Sequence, residues 1–249
     1  MKKLGIIGGT GLADMPELID VQFKSVATPY GEPSADLVCG VLNGMDVVFL
    51  ARHGEGHTIP PHYINYRANI AGLMGEGVSH IVAVNAVGGI SRNLRPGVMV
   101  IPDQLIDYTW GREPSFSDGP EAPLQHIDFT EPYDGQLREA LKAAMNACGE
   151  PFICGGTMAV TQGPRLETAK EVDRLERDGC DIVGMTGMPE ASLARELGLA
   201  YASLSLVVNP AAGRCREPIT MGDIQQIIDE AMPGVRRVLA ELCKCQLSS

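Results

Sequence analysis

The segment that decides the fold spans residues 80–90 and reads HIVAVNAVGGI. Its first part, residues 80–85, is a short apolar run of the kind that forms a buried strand, and the small residues after it either leave room for a ligand against the backbone or form a strand-ending turn. Comparable apolar runs recur along the chain at residues 4–7, 99–101, 158–161, 181–185 and 200–208. The chain is therefore expected to contain a set of short, largely buried strands.

Patterns with helical periodicity alternate with these runs, at residues 63–75, 134–148, 168–178, 189–197 and 220–242. Such alternation is typical of α/β proteins. Two further apolar runs, residues 36–42 and 45–50, flank Asn43-Gly44. That dipeptide is a strong hairpin signal, so the sheet must be mixed rather than purely parallel. We predict one α/β domain over residues 1–249, with a mixed central β-sheet flanked by helices.

The composition narrows the class of protein and of partner. The 249 residues are enough for one domain with a full core, and 45% of them are hydrophobic. The net charge of −11 argues against nucleic acid or an anionic membrane as a partner. The seven scattered cysteines include no C-x-x-C pair, which argues against a disulfide framework and a zinc site. The apolar start of the chain stops at Gly8-Gly9, like a first strand and unlike a signal peptide, so we expect a cytoplasmic protein.

Clusters of glycine and polar residues follow several predicted strands and centre on Thr10, Arg52-His53, Asn85-Ala86 and Met185-Thr186. In open α/β sheets, ligands bind beyond the carboxyl ends of the strands. An arginine fork, a histidine donor, hydroxyls and backbone N–H groups together suit an oxyanion, although each cluster alone is equally consistent with a turn. A dinucleotide-dependent oxidoreductase is disfavoured, because Asp14 stands where the glycine fingerprint needs glycine or alanine.

A long segment between the predicted elements, residues 109–132, is rich in proline, glycine, serine and aspartate. A stretch of this length without regular structure inside a compact domain is usually functional or disordered. We expect this segment to cover a site or to form a subunit contact.

Five spaced motifs carry a resemblance to a known family. They read GIIGGTGL (5–12), LARHG (50–54), HIVAVNAVGGI (80–90), QGPRLET (162–168) and DIVGMTGMPEASLARELGLAYAS (181–203). In this order, and over nearly the whole chain, they resemble the trimeric purine nucleoside phosphorylase and 5'-methylthioadenosine phosphorylase family. The resemblance implies the nucleoside phosphorylase fold, a homotrimer, and cleavage of an N-glycosidic bond with inorganic phosphate as co-substrate. It implies neither a cofactor nor a metal.

The same resemblance assigns residues to the two small-molecule substrates. Those expected around phosphate are Thr10, Arg52, His53, Asn85, Ala86 and Thr186. Those expected to contact the nucleoside are Met185, Gly88, Leu166, Glu167, Asn209, Pro210, Ala211, Met221, Ile224 and His126. His53, Glu167 and Asn209 are expected to be catalytic, since the reaction needs a positioned anion and a stabilised leaving purine.

The base pocket is expected to favour a 6-oxopurine. Adenine-selective members of the family have aspartates where this chain has Asn209 and Ala211, and the Asn209 amide offers one donor and one acceptor to N7 and O6. Glu167 would accept a hydrogen bond from N1–H, which adenine lacks, and an unmatched buried polar group costs about 1–3 kcal/mol. Alternatively, Glu167 only complements the dipole of the helix that follows it. Leu166 replaces the aromatic residue usual in the family.

The 5' end of the sugar is expected to meet an apolar wall. Phosphorylases of unmodified nucleosides commonly place a histidine there, and none of the five histidines follows Asn209. Met221 and Ile224 could instead accept a methylthio group, although such a pair on a helix is more often part of a core. By resemblance, His126 approaches the site of a neighbouring subunit.

The expected reaction converts methylthioinosine and phosphate to hypoxanthine and 5-methylthioribose 1-phosphate. Three alternatives remain open: a 6-oxopurine nucleoside phosphorylase acting on inosine and guanosine, a methylthioadenosine phosphorylase with an unusual pocket, and a non-catalytic nucleoside-binding module. A zinc deaminase is disfavoured, because no suitably spaced zinc ligands are present.

Overall fold

A computed structural model describes residues 2–9, 12, 15–117, 119 and 124–245. The described part contains eleven strands: β1 (Lys3–Gly8), β2 (Leu18–Lys24), β3 (Leu37–Leu42), β4 (Met45–Ala51), β5 (Val78–Gly89), β6 (Met99–Ile101), β7 (Gln104–Asp107), β8 (Phe152–Cys154), β9 (Thr157–Val160), β10 (Ile182–Gly184) and β11 (Ala200–Pro210). It also contains five α-helices: α1 (Tyr66–Gly75), α2 (Gly135–Cys148), α3 (Ala169–Arg177), α4 (Gly187–Glu196) and α5 (Met221–Leu242). The predicted α/β class is confirmed.

All eleven strands belong to one mixed sheet. Its main order is β2-β3-β4-β1-β5-β10-β9-β7, while β11 pairs with β5 and β6, and β8 pairs with β6. Strand β5 is central: it runs parallel to β1 and β11 and antiparallel to β10. The segment that decides the fold thus has partners on both sides.

Strand β5 continues to Gly89, although the predicted strand ended at residue 85. The predicted end is wrong because distant segments pair with the small residues. Asn209 and Pro210 lie opposite Gly88 and Gly89, and Ile182 also pairs with Gly89. The backbone groups of this segment are therefore satisfied by a ladder rather than by a turn.

The predicted hairpin is confirmed at Asn43-Gly44. Strands β3 and β4 are antiparallel, with Leu42 opposite Met45. Asn43 and Gly44 have φ values of 48° and 84°, the left-handed conformation that a two-residue turn of type I′ requires at both positions.

Helices cover both faces of the sheet. Successive residues of a strand face opposite sides, and in β5 Val82 belongs to one core cluster while Ile81 belongs to another. The first cluster includes Leu141 of α2 and Val238 of α5, and the second includes Ile70 of α1. Two apolar layers therefore hold the sheet and fix the strand ends.

The sequence did not predict β2, β7 and β8. Strand β2 lies at an edge of the sheet, and its apolar residues Ile19, Val21 and Phe23 are exposed, so no buried alternation marks it. The seven cysteines are all free thiols. Within the described residues, no helix combines the length and the apolar character needed to cross a bilayer.

Candidate active site

The exposed residue Ala86 indicates a cleft along β5, where its neighbours in the sheet end. Ala86 is exposed, although the residues around it from 81 to 90 are all buried. Strands β1, β4, β5 and β11 are parallel, so their carboxyl ends lie at one edge of the sheet. That edge carries most of the residues predicted for the site. We call Arg52, His53, Asn85 and Thr186 the phosphate end of the cleft, and Leu166, Glu167 and Asn209 the base end.

Arg52 is buried and rigidly held. Its Nε and Nη2 donate to the two carboxylate oxygens of Glu190 at 2.7 and 2.9 Å, and Nη1 donates to the Val84 carbonyl at 3.1 Å. Burial disfavours the charged guanidinium, but the negative charge of Glu190 raises the pKa of Arg52 above its usual value. Of the five N–H groups of an arginine, two remain outside these contacts and could meet an anion.

Glu190 was not predicted as a site residue. It is fully buried in α4 and accepts a third hydrogen bond, at 2.8 Å, from the Tyr201 hydroxyl. A buried arginine needs such a partner, since an unpaired charge in the interior is strongly destabilising. The signal in the sequence was a single acidic residue in an otherwise apolar helical stretch, GMPEASLA, and nothing local linked it to Arg52, 138 positions earlier.

His53 does not supply the donor predicted for it. Its Nδ1 lies 2.8 Å from the Ile59 carbonyl, which can only accept, so Nδ1 carries the ring proton. Burial lowers the pKa of His53 to about 4, so the ring is neutral at pH 7 and Nε2 is an acceptor. The Ile59 carbonyl therefore takes up the ring donor of His53, and the contact of His53 with phosphate stays a prediction.

Asn85 and Thr186 lie in direct contact, as a shared site requires. The Thr186 hydroxyl donates to Asn85 Oδ1 at 3.0 Å, and Asn85 Nδ2 donates to the Ser203 hydroxyl at 2.7 Å. Ser203 in turn contacts Ser205 on β11, with 3.0 Å between their hydroxyl oxygens. This buried series of hydrogen bonds joins β5, the start of α4 and β11, and it holds the polar side chains of the phosphate end in place.

Met185 is half-buried and lies between the two ends of the cleft. A side chain at Gly163 would collide with the Met185 sulfur at 2.5 Å, so the 162–168 loop packs directly on Met185. The Met185 carbonyl accepts a hydrogen bond of 2.8 Å from Arg112 Nη1.

Arg112 is a second residue that the sequence did not reveal. It comes from the long 109–132 segment and donates to the carbonyls of Thr161, Gln162, Met185 and Met188. Burial lowers its pKa from the usual value. The prediction that this segment covers a site gains support, because Arg112 ties it to the ends of β9 and β10.

Glu167 is half-buried and does not cap α3. The helix begins at Ala169, and Thr168 and Glu171 form a reciprocal capping box. The Glu167 carboxylate instead accepts a hydrogen bond of 2.6 Å from the Thr161 hydroxyl. A cavity of about 520 Å³ opens beside both residues and is also lined by Trp110.

Asn209 ends β11 opposite Gly88, and its Nδ2 donates to the Pro210 carbonyl at 2.7 Å. One amide hydrogen and the amide oxygen remain outside this contact. A side chain at Gly88 would meet Val183 at 3.2 Å and Ala211 at 3.4 Å, so this glycine allows β5, β10 and the residue after β11 to pack closely.

The structure does not bring the remaining predicted residues together at one site. Leu166, His126 and Met221 are exposed, whereas Ile224 belongs to a core cluster. Met221 and Ile224 thus do not form a continuous apolar wall in this chain alone. Thr10 lies outside the described residues. Among the residues that the structure describes, no three or more His, Cys, Asp or Glu side chains gather as a metal ion would need.

Comparisons with known proteins agree with this architecture. A family model described as the phosphorylase superfamily matches residues 3–244. A probable S-methyl-5'-thioinosine phosphorylase of Xanthomonas campestris pv. campestris is 49% identical over 243 residues, covering 97% of each chain. A probable 6-oxopurine nucleoside phosphorylase of Thermococcus kodakarensis is 43% identical over 244 residues, covering 96% of this chain and 91% of the relative.

Among solved structures, the methylthioadenosine phosphorylase of Schistosoma mansoni in complex with adenine superposes with a TM-score of 0.91 at 33% identity. The match covers 98% of this chain and 91% of that one. The sequence motifs, the sheet and the full-length matches lead to one conclusion: this chain belongs to the phosphorylase superfamily.

Proposed function

We propose that the protein is a pentosyltransferase that converts S-methyl-5'-thioinosine and phosphate to hypoxanthine and 5-methylthioribose 1-phosphate. The observation that carries the proposal is that the Asn209 amide and the Glu167 carboxylate each keep hydrogen-bonding groups outside their internal contacts, which suits the N7, O6 and N1–H edge of a 6-oxopurine. The full-length similarity to a probable S-methyl-5'-thioinosine phosphorylase supports it.

The phosphate end suits inorganic phosphate as nucleophile. Arg52 has two N–H groups left for anionic oxygens, and the neutral His53 offers an acceptor at Nε2. Monohydrogen phosphate carries both anionic oxygens and one O–H donor, so it matches this mixed set. Because Glu190 and Asn85 hold Arg52 and Thr186 in place before phosphate arrives, binding requires little rearrangement.

In the proposed reaction, a phosphate oxygen forms a bond to the anomeric carbon as the bond from that carbon to N9 breaks. The electron pair of the broken bond goes to the purine, where the free Asn209 N–H stabilises the charge that reaches O6. N7 takes up a proton from solvent, and the N7–H of the product hypoxanthine then donates to the Asn209 amide oxygen. The sugar becomes cationic in the transition state, and the bound phosphate stabilises it electrostatically. No step needs a cofactor or a metal; unchanged activity after dialysis against a chelator is the expected result.

The test is phosphate dependence with identification of both products. Purified protein with methylthioinosine should release hypoxanthine only when phosphate is present, together with an equal amount of methylthioribose 1-phosphate. Release at the same rate without phosphate would indicate a water-using nucleosidase, and tight binding without turnover would indicate a nucleoside-binding module.

A 6-oxopurine nucleoside phosphorylase acting on inosine is the second candidate. Asn209 and Glu167 read the base and not the sugar, and a relative of that description is 43% identical. Met221 is exposed and Ile224 belongs to a core cluster, so within one chain these two residues do not form an apolar pocket for the 5' substituent of the sugar. Comparing kcat/KM for methylthioinosine and inosine decides between the two candidates.

We further propose that the protein works in the cytoplasm as a homotrimer. Tyr63, Trp110 and Leu124 are 76%, 72% and 78% exposed, and such large apolar side chains suit burial against another copy. His126, exposed in the same 109–132 segment as Trp110, would then reach a neighbouring site. Light scattering of the purified protein should give three times the mass of the chain; a monomer that is fully active would contradict this assembly.

A further inference from the structure

The Glu167 carboxylate is held beside the cavity by a neighbouring hydroxyl and has no role in capping a helix. Acidic residues at the start of a helix often serve the helix itself, but in α3 Thr168 and Glu171 already satisfy the first turn. Glu167 is thereby left without a capping role. Its carboxylate is half-buried and lines the 520 Å³ cavity together with Thr161.

The Thr161 hydroxyl is the group that holds this carboxylate. Its oxygen lies 2.6 Å from Glu167 Oε1 and 3.4 Å from the Gly184 carbonyl, its other acceptor. A hydroxyl has one proton, and the shorter distance assigns it to Glu167. Bonds of this kind to a charged acceptor are about twice as strong as neutral ones.

Thr161 is itself fixed by the elements around the cleft. Its backbone N–H donates to the Gly184 carbonyl at 2.8 Å, and its carbonyl accepts from Arg112 Nη2 at 3.2 Å. Gly184 ends β10, immediately before Met185. The hydroxyl therefore connects the Glu167 side chain, which lies in the 162–168 loop, to the end of β10.

We propose that Thr161 is a positioning residue that determines base selectivity by pinning Glu167 Oε1, so that Oε2 faces the purine as a fixed acceptor. The inference rests on the proposed function, since it gives Glu167 the N1–H of a 6-oxopurine as its partner. A fixed acceptor meets N1–H of hypoxanthine productively and opposes the N1 lone pair of adenine. A freely rotating carboxylate could turn to solvent and spare adenine that repulsion.

The test compares Thr161→Val, which keeps the β-branched shape, with Thr161→Ser, which keeps the hydroxyl. Thr161→Val should lower kcat/KM for methylthioinosine about tenfold. The same variant should leave kcat/KM for methylthioadenosine unchanged or raise it, because the freed carboxylate can turn away from adenine, and Thr161→Ser should recover most of the loss with methylthioinosine. A change that is equal for both substrates, or that Ser does not rescue, would show a merely structural role and overturn the inference.

A double-mutant cycle checks that Thr161 acts through Glu167. In a Glu167→Gln background, Thr161→Val should have less than about a twofold effect, because the two losses are coupled. Full additivity would contradict the inference. The melting temperature of each variant separates these effects from general destabilisation.

Binding of free bases separates this inference from the proposed function. Calorimetry with hypoxanthine and adenine needs no turnover, so it remains informative even if wild-type protein fails to cleave methylthioinosine, which would refute the function alone. Thr161→Val should weaken hypoxanthine binding about tenfold and leave adenine binding unchanged or stronger. Equal hypoxanthine affinity in wild type and variant would overturn the role of Thr161.

Discussion

At the phosphate end, Arg52, Asn85 and Thr186 are 2%, 3% and 6% exposed, whereas at the base end Leu166 is 41% exposed and the neighbouring Trp110 is 72% exposed. The phosphate end is built from strand ends inside the sheet, and its polar groups hold one another before any ligand binds. The base end is formed by the loop between β9 and α3 together with Asn209 in β11, and its loop residues are more exposed. The proposed binding of phosphate thus lies in the buried region, and the proposed choice of base lies in the more exposed one.

The largest effect is expected at the phosphate end, where Glu190→Gln should destabilise the folded protein. This change leaves the Arg52 charge buried without its carboxylate, which should lower the free energy of unfolding by about 3–5 kcal/mol. Urea denaturation measures the loss. Tyr201→Phe is the matched control: it removes only one of the three hydrogen bonds to Glu190 and should cost about 1.5 kcal/mol. Equal stability of the Gln variant and the wild type would show that the pair does not hold this end together.

The next effect is expected from Arg112→Met, because Arg112 joins the two regions. Four carbonyls lose a donor, and kcat/KM should fall roughly tenfold or more for every nucleoside, since by resemblance Met185 is expected to lie against the sugar rather than the base. Arg165→Met is the control: this exposed arginine of the 162–168 loop pairs with Glu171, and its loss should change activity little. A loss confined to one purine would place Arg112 in base selection instead.

At the base end, Asn209→Asp tests whether the Asn209 amide selects a 6-oxopurine. A carboxylate facing O6 should lower kcat/KM for methylthioinosine about ten- to hundredfold and raise activity on methylthioadenosine. Asn93→Asp introduces the same charge at an exposed position and should be neutral. Unchanged selectivity in the Asn209 variant would contradict the assignment of the base end.

The smallest effect is a pH dependence at His53. Its pKa is about 4 in the folded chain and about 6.5 when unfolded, so the unfolded chain takes up the proton first as the pH falls. The stability that the neutral ring contributes is complete above pH 6.5 and is lost as the pH drops towards 4. His53→Gln should show a shallower decline in this window, and an NMR titration of His53 with a midpoint near 6.5 would contradict the account.

Much of the fold can be predicted from local sequence patterns, because the start of a helix and the turn of a hairpin depend on residues that are adjacent in the chain. The capping pair Thr168 and Glu171 and the turn at Asn43-Gly44 are examples. The extension of β5 to Gly89 was missed, since its partners Ile182 and Asn209 lie about a hundred residues away in the chain.

The site divides in the same way. The resemblance grouped Arg52, Asn85 and Thr186, and the structure brings them close together through Val84 and the Asn85–Thr186 contact, while their binding of phosphate stays a prediction. It could not reveal Glu190 or Arg112, whose roles exist only through contacts between distant segments. The tautomer of His53 was also beyond reach, because it depends on the Ile59 carbonyl and on burial.

The most direct test of the central claim is a competition in one reaction mixture containing methylthioinosine, inosine and methylthioadenosine with phosphate. The base end described above predicts that hypoxanthine appears first with 5-methylthioribose 1-phosphate, that adenine release is slower by about tenfold or more, and that nothing is released when phosphate is omitted. Preferential release of adenine would contradict the proposed pairing of Asn209 and Glu167 with a 6-oxopurine.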